Sequence, residues 1–416
     1  MSTVPNPSPT RAVSGHNNPP LAQVDVGTLP QPWDTIGRHA ALPSLQHDDR
    51  ARLDGIAHLN HFLSQALVPR MQADYEKKGV EDFAAQHGRA PETRDEAREV
   101  LEAGVLYPAW SRLRRGAMEH RQKLLTDALV PQRAEHAAVC SSLSESAGNL
   151  ELDPDLKMPA YLTEVHAHLM PGGYVTDRVP GDASAGASYE AGLYSTVPGR
   201  SGPNSDGAGR ALSAWLKDHY PDVKPTRIFD LGCGAGLNTV AVAQAFPEAE
   251  VIAFDAGAPM LRYAAARAAA MGVSNVKFIQ ANIEQLPDDL GTADVVYTCI
   301  VLHETSLNGL RAIFRTARAH TTPGGLTLHA EQPGYDGKPL FEQVLRDWDG
   351  RHNNESFWSE LHQLDLHKEM TDAGFASDDV FTGSISAVPW TTDAQTPGKF
   401  EDYGRTGNWT VIGGVK

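Results

Sequence analysis

The sequence predicts an α/β protein: a mostly parallel sheet with an antiparallel edge, preceded by an all-helical unit. Three observations carry this. From Arg227 onward, short apolar runs alternate with helix-period segments, as strand–helix–strand units require. Between His47 and about Leu143 the apolar residues instead recur at three- and four-residue steps. At the end, 378–388 and 408–416 read as two strands joined by a long loop, hence an antiparallel edge. At 416 residues the chain is long for one core, and two packed units plus a tail are expected.

Residues 1–45 are rich in Pro, Ser, Asn and Gly and read as a flexible arm, docked in part through Trp33 and Ile36. Residues 46–153 form the helical unit. Its first helix carries Leu53, Ile56, Leu59 and Met71, and Pro69 is expected to bend or end it. A charged helix from Glu92 to about Gly104 follows; Pro108 separates it from a third, with Trp110, Leu113, Met118 and Leu129, and a fourth runs from Gln132 to Leu143. The charges on Arg112, Arg114 and Arg115 against Glu96, Glu99 and Glu102 read as a solvated face. Residues 154–206, rich in aromatics and glycine, form a connector placed to cover a pocket.

The final unit, 207–416, opens with a helix at 207–219. Strands are expected at Arg227–Leu231, Glu250–Asp255, Val276–Gln280 and Ala293–Cys299, with helices at 236–246, 257–271 and 306–320. Pro323-Gly324-Gly325 makes a turn into a strand at Gly325–Glu331, and a helical insertion spans 338–374. Strands at this spacing give a parallel sheet with right-handed crossovers.

Composition narrows the function. A formal net charge of −16 argues against a non-specific grip on nucleic acid or anionic lipid. There is no apolar run of membrane-spanning length and no charged start followed by an apolar stretch, so neither a membrane span nor a secretory signal is expected. Three scattered cysteines fit a reducing, cytoplasmic setting. Trp110 and several leucines on a helical unit need a surface to cover them, which points to a homodimer.

The chemistry centres on RIFDLGCGAG, Arg227–Gly236. A pyrophosphate needs G-x-G-x-x-G at a helix N-terminus. Here Gly232, Gly234 and Gly236 are spaced G-x-G-x-G, and Asp230 stands immediately before them, where it would repel a pyrophosphate. A carboxylate there suits an ammonium instead. The next strand ends in Asp255, about 20 residues beyond the glycines, where a carboxylate takes ribose hydroxyls. Met260 then packs on an adenine face.

Residues 227 to about 332 resemble the class I S-adenosylmethionine (SAM) methyltransferases, in particular the small-molecule branch. FDLGCGAG, VIAFDAGAPML, QANIEQLP, DVVYTCIVLHE and TPGGLTLHAEQP carry the resemblance by their order and spacing. It implies SAM as cofactor, S-adenosylhomocysteine (SAH) as product, and a Rossmann-like sheet. It also implies that Asp230, Gly232, Gly234 and Asp255 line the SAM site, with Cys233, Gly236, Asn238 and Ala256 in the same turns. Asn282, where most relatives have Asp, and Ile283 flank the adenine; Thr298 and Cys299 face the methionine moiety. Cys233 and Cys299 are small apolar linings rather than nucleophiles. In the caffeate-type O-methyltransferases a His-Asp-Trp carries the base where this chain has His303-Glu304-Thr305.

Candidates on the acceptor side are His303, Glu304 and Gln332. A phenol needs a base such as His303, whereas sulfur needs only alignment and exclusion of water. Tyr161, His166, His168, Tyr174, Tyr189 and Tyr194 are placed to close the pocket. No acidic partner accompanies His166 and His168 at metal spacing, so no metal site is expected. The leading expectation is a SAM-dependent methyltransferase moving a methyl group to O, N or S of a small molecule. Alternatives are a catalytically silent SAM-binding module with a protein partner and, less favoured by the glycine spacing, an NAD-dependent reductase.

Overall fold

The computed structural model describes residues 30, 32–196, 202–386 and 408–416. Its centre is an eight-stranded sheet: β1 (Leu150–Glu151), β2 (Arg227–Leu231), β3 (Glu250–Asp255), β4 (Val276–Gln280), β5 (Ala293–Cys299), β6 (Thr321–Glu331), β7 (Val380–Ser386) and β8 (Asn408–Val415). The order is β1-β4-β3-β2-β5-β6-β8-β7, parallel from β1 to β6, with β8 antiparallel between β6 and β7. β2 is apolar on both faces because helices cover both: 207–219, 237–245 and 258–270 on one side, 307–320 and 366–372 on the other. The strand order reverses on either side of β2, so the crevice at its carboxyl end is where a ligand belongs.

Four local details depart from the pattern. The two-residue β1, inside the stretch read as helical, adds an edge through Leu150 and Phe278. Pro323-Gly324-Gly325 lies within β6, where the pairing jumps from Ala293–Thr321 to Val295–Leu326, and Gly324 at φ +79° makes the bend. Pro69 does not end its helix. The rod runs from His47 through 87, with π turns at Leu63–Leu67 and Tyr75–Gly79. In the first of these the Val68 N–H reaches back to the Leu63 carbonyl, and this wider turn makes room for the proline ring, which lacks a donor and would strike the carbonyl four residues back. Pro108 likewise sits inside the first turn of Leu106–Leu129, where its missing N–H costs nothing.

The helical part and the late insertion share a core. Leu63, Met71, Trp110 and Met118 pack with Phe341, Val344, Leu345 and Trp348 of the helix Leu340–His352. Arg114 is not on a solvated face: it is 1% exposed, paired with Asp349 at 3.1 Å and set 4.1 Å over the Trp348 ring. Trp110 is fully buried edge-on to Trp348 within the same chain, which removes Trp110 from the case for a dimer, while Leu113 stays exposed. No helix among the described residues is long and apolar enough to cross a membrane.

The helix Ser184–Thr196 ties these cores to the sheet. Tyr263 occupies the space a Cβ on Gly186 would need, and the buried Glu190 accepts from Tyr263 Oη (2.8 Å) and Arg267 Nε (3.1 Å). At its far end Tyr194 donates to Asp54 (2.6 Å), and Asn60 donates to the Ser195 carbonyl. Trp33, 4% exposed, meets Tyr194 edge-on, so the segment 32–45 is anchored; residues 1–29 lie outside the described residues.

Replacing Trp348 by Ala removes a buried ring, the hydrogen bond from its Nε1 to Ser111 (2.7 Å) and the surface under Arg114. A loss of about 3–5 kcal/mol is expected in urea unfolding; a change under about 1 kcal/mol would show that the insertion does not depend on this contact.

Candidate active site

The turn after β2 needs its glycines for different reasons. Gly232, Gly234 and Gly236 have φ of +84°, +51° and +72°. The N–H groups of Gly232 and Cys233 both donate to the Phe254 carbonyl, which binds the turn to β3. A Cβ on Gly232 would meet both Val301 methyls at 2.8 Å, whereas Gly236 instead lets its helix approach Ala264. At the end of β3, Asp255 takes the Gly234 N–H on Oδ2 and the Gly257 N–H on Oδ1, each at 2.8 Å. These bonds fix its plane and leave each oxygen a second lone pair. Asp230 accepts from Thr239 (2.6 Å) and Tyr297 (2.7 Å), both on Oδ2. Burial outweighs these bonds and pushes its carboxyl up to about 6.

A cavity of about 300 Å³ opens over these groups. Asp230, Gly232, Cys233, Gly234, Asn238 and Asp255 line one end of it. Ala256, Met260, Asn282, Ile283 and Cys299 continue this wall. Asn282 Oδ1 already accepts the Glu284 N–H at 2.9 Å, and Asn238 Oδ1 accepts from Gly209. Burial holds the Cys233 and Cys299 thiols far above their ordinary range, so both are neutral.

The rest of the lining comes from the connector, the helix Leu106–Leu129, the segment after β5 and the insertion. Glu304, Gln332, Tyr161, His168, Tyr174 and Tyr189 all reach it. His168 stands in the left-handed region (φ +54°), as does Leu169, a strained pair held by the bond from Gln122 Nε2 to the His168 carbonyl. Its ring lies between two carboxylates, with Nε2 3.0 Å from Glu304 and Nδ1 2.6 Å from Glu355. Burial opposes its charge, but Glu355 and Glu304 outweigh that and raise it to about 10. Glu304 also accepts from Tyr174 Oη at 2.9 Å, and its carboxyl is held below the usual range: burial works against this, His168 prevails. The acidic partners absent from the sequence around His168 thus arrive from 304 and 355.

Several predicted residues lie elsewhere. Thr298 points to the face of β5 opposite Cys299, because side chains alternate along a strand, and bonds His329 at 2.9 Å. Gly236 is a packing glycine. Tyr194 is held by Asp54 in the helical core, and His166 is exposed and contributes a carbonyl to Asn354. His303 is 2% exposed and does not line the cavity; its Nδ1 meets Glu331 at 2.9 Å and its ring abuts Trp358. Burial opposes its charge, yet Glu331 raises it to about 9. A proton already sits on this imidazole near neutral pH, so it is not poised as a base. Missed by the sequence reading were Arg114, Arg121, Asp349, Asn353, Glu355 and Trp358, all lining the cavity. The signal for Asp349, Asn353 and Glu355 was the cluster of polar residues closing the insertion's first helix, DWDGRHNNE.

With this geometry in place, similarity to known proteins becomes informative. Residues 228–325 match the family model described as a methyltransferase domain. Trans-aconitate 2-methyltransferase of Deinococcus radiodurans is 37% identical over 83 residues, 20% of this chain and 30% of that one. Malonyl-[acyl-carrier protein] O-methyltransferase of Bacillus cereus is 30% identical over 120 residues, 28% of this chain and 42% of that one. The chain thus spans less than half the length of either curated relative. A solved putative O-methyltransferase from Nostoc punctiforme covers 89% of this chain and 96% of its own at 12% identity, with a TM-score of 0.42. The domain built on β2–β6 belongs to the class I SAM-dependent methyltransferases, a family whose cofactor is SAM.

The His303–Glu331 pair makes a pH prediction. A folded pKa raised above its ordinary 6.5 contributes stability that is full below that value and is lost as pH rises through about 9. In a histidine-resolved NMR titration His303 is expected to titrate near 9, and lower in Glu331→Gln. A native value near 6.5 would restore it as a candidate base.

Proposed function

We propose that this chain transfers the methyl group of SAM to a small-molecule acceptor held in the cavity beneath the connector and the insertion. The observation that carries the reading is Asp255, fixed by two backbone N–H groups beside the glycine turn at the sheet's reversal point. The residues fit the cofactor. Gly232 has no room for a side chain, Asp255 offers two oriented oxygens for ribose hydroxyls, and Met260, Asn282 and Ile283 are placed to flank the adenine. Asp230 and the turn carbonyls receive the ammonium, with Cys299 along the methionine chain.

When bound, SAM supplies a methyl group on a sulfonium. The chain's own part is to align an acceptor atom with that methyl and to keep water out. Glu304 is the ionised carboxylate at this junction, set there by His168 and Tyr174. Neither His168 nor His303 is free to take a proton near neutrality, so transfer rests on proximity, and proton removal from an oxygen acceptor falls to Glu304. The relatives act on small acids or an acyl carrier by name; the acceptor of this chain is a small molecule whose methylated atom is O, N or S.

Calorimetry with SAH should show binding that Asp255→Ala weakens by about 100-fold or more, the worth of two hydrogen bonds to a charged group at roughly 1.5–3 kcal/mol each. Unchanged affinity would sink the ribose assignment, and binding of NAD in place of SAM would overturn the reading. Because Asp230 titrates at about 6, SAM affinity should fall as pH drops through that value and level off above it. Asp230→Asn should flatten this profile. Label from methyl-labelled SAM appearing in a metabolite extract tests turnover itself.

A further inference from the structure

Two residues lining the cavity carry buried oxygens that lack a donor among the described residues. Glu355 is 2% exposed and Asn353 3%, and both line the cavity. Glu355 Oε1 is engaged by His168, but Oε2 has no partner among the described residues, and neither has Asn353 Oδ1. The orientation of the amide is fixed by its surroundings. Its Nδ2 lies 3.2 Å from Asp349 Oδ1, 3.5 Å from Glu355 Oε1 and 3.3 Å from His168 Nδ1. Turning it over would press its oxygen against two carboxylates to gain one contact with the imidazole, whose Nδ1 proton is already taken by Glu355. Buried polar atoms are ordinarily paired, so two orphaned acceptors on neighbouring residues of one cavity wall call for a donor from outside the chain.

We propose that Glu355 and Asn353 anchor a protonated amine of the acceptor molecule, an assignment that rests on the methyltransferase reading above. An ammonium offers three donors and no acceptor, which suits two bare oxygens. Charge points the same way. Over the whole lining, the five carboxylates Asp230, Asp255, Glu304, Asp349 and Glu355 outnumber the three cations Arg114, Arg121 and a charged His168, which sits between Glu304 and Glu355. Arg121, the remaining cation lining the cavity, turns its Nη1 to Thr196. Tyr174, Tyr189 and Trp358 line the same space, and aromatic faces favour a cation over an anion. A carboxylate here would meet Glu355 Oε2 with no proton between them. The anchoring nitrogen positions the acceptor and is not required to be the atom methylated.

The test uses the full chain saturated with SAH and two probes on one aryl-ethyl frame, phenethylamine and 3-phenylpropanoate, followed by saturation-transfer NMR. Phenethylamine is expected to bind about tenfold more tightly, the difference one charge-assisted hydrogen bond supplies. Glu355→Gln and Asn353→Leu should each erode that preference while leaving SAH affinity intact, which also reports that the variants fold. Equal or tighter binding of the propanoate, a preference that survives both substitutions, or no signal from either probe on the SAH-bound protein would each overturn the assignment. Binding of Mn²⁺ in competition with phenethylamine and lost in Glu355→Gln would overturn it in favour of a metal at the same oxygens. Failure of SAH to bind would strike the methyltransferase reading instead.

Discussion

The architecture depends most on one buried contact, the Arg114 guanidinium between Asp349 and the Trp348 ring. It joins a helix that precedes the central strand β2 by about a hundred residues to an insertion that follows the last parallel strand. A desolvated ion pair of this kind adds little net stability, but removing one partner strands a charge in an apolar core. Its value is positional. Asp349 also accepts from Asn353, so the pair sets where the insertion's first helix ends and thereby where Asn353 and Glu355 meet the cavity.

The two halves of the site differ in how much of them was legible in the sequence. The cofactor end is local: a strand, a G-x-G-x-G turn and a carboxylate on the next strand, all within a span where backbone geometry follows from residue type. Hence Asp230, Gly232, Gly234, Asp255, Asn282 and Cys299 all reach one cavity. Thr298 misses it only because neighbouring strand residues face opposite ways. The acceptor end is assembled from 114, 168, 304, 349 and 355, whose proximity follows from packing alone. His168 looked unaccompanied because its two carboxylates stand 136 and 187 positions further along, as the differences 304 − 168 and 355 − 168 show. Arg114 looked solvated because its charge, and not the tryptophans on either side of its fold, was what the sequence displayed.

The histidines carry a related lesson. A histidine after the fourth parallel strand of the domain draws the eye as a base, but an imidazole must be neutral to accept a proton and must face the substrate. His303 is held charged by Glu331, sits behind Trp358 and Glu304, and does not itself line the cavity. Glu304 beside it lines the cavity and stays ionised, bonded to both His168 and Tyr174 of the connector. The same carboxylate thus belongs to the sheet by sequence and to the covering segment by contact.

The π turns of the first long helix have a consequence for how two cores coexist. Before the first of them, Leu53 and Ile56 pack with Tyr194 and Leu124 on the connector side. Within and after it, Leu63, Val68 and Met71 pack with Phe341 and Trp348 of the insertion. Each residue of an α-helix advances about 100° around the axis, so one extra residue in a turn rotates everything beyond it by that amount. The turn at 63–67 acts as a crankshaft: it lets a single rod present one apolar face to each of two differently placed partners. Shortening it by one residue would leave the helix intact and turn one of those faces away from its core.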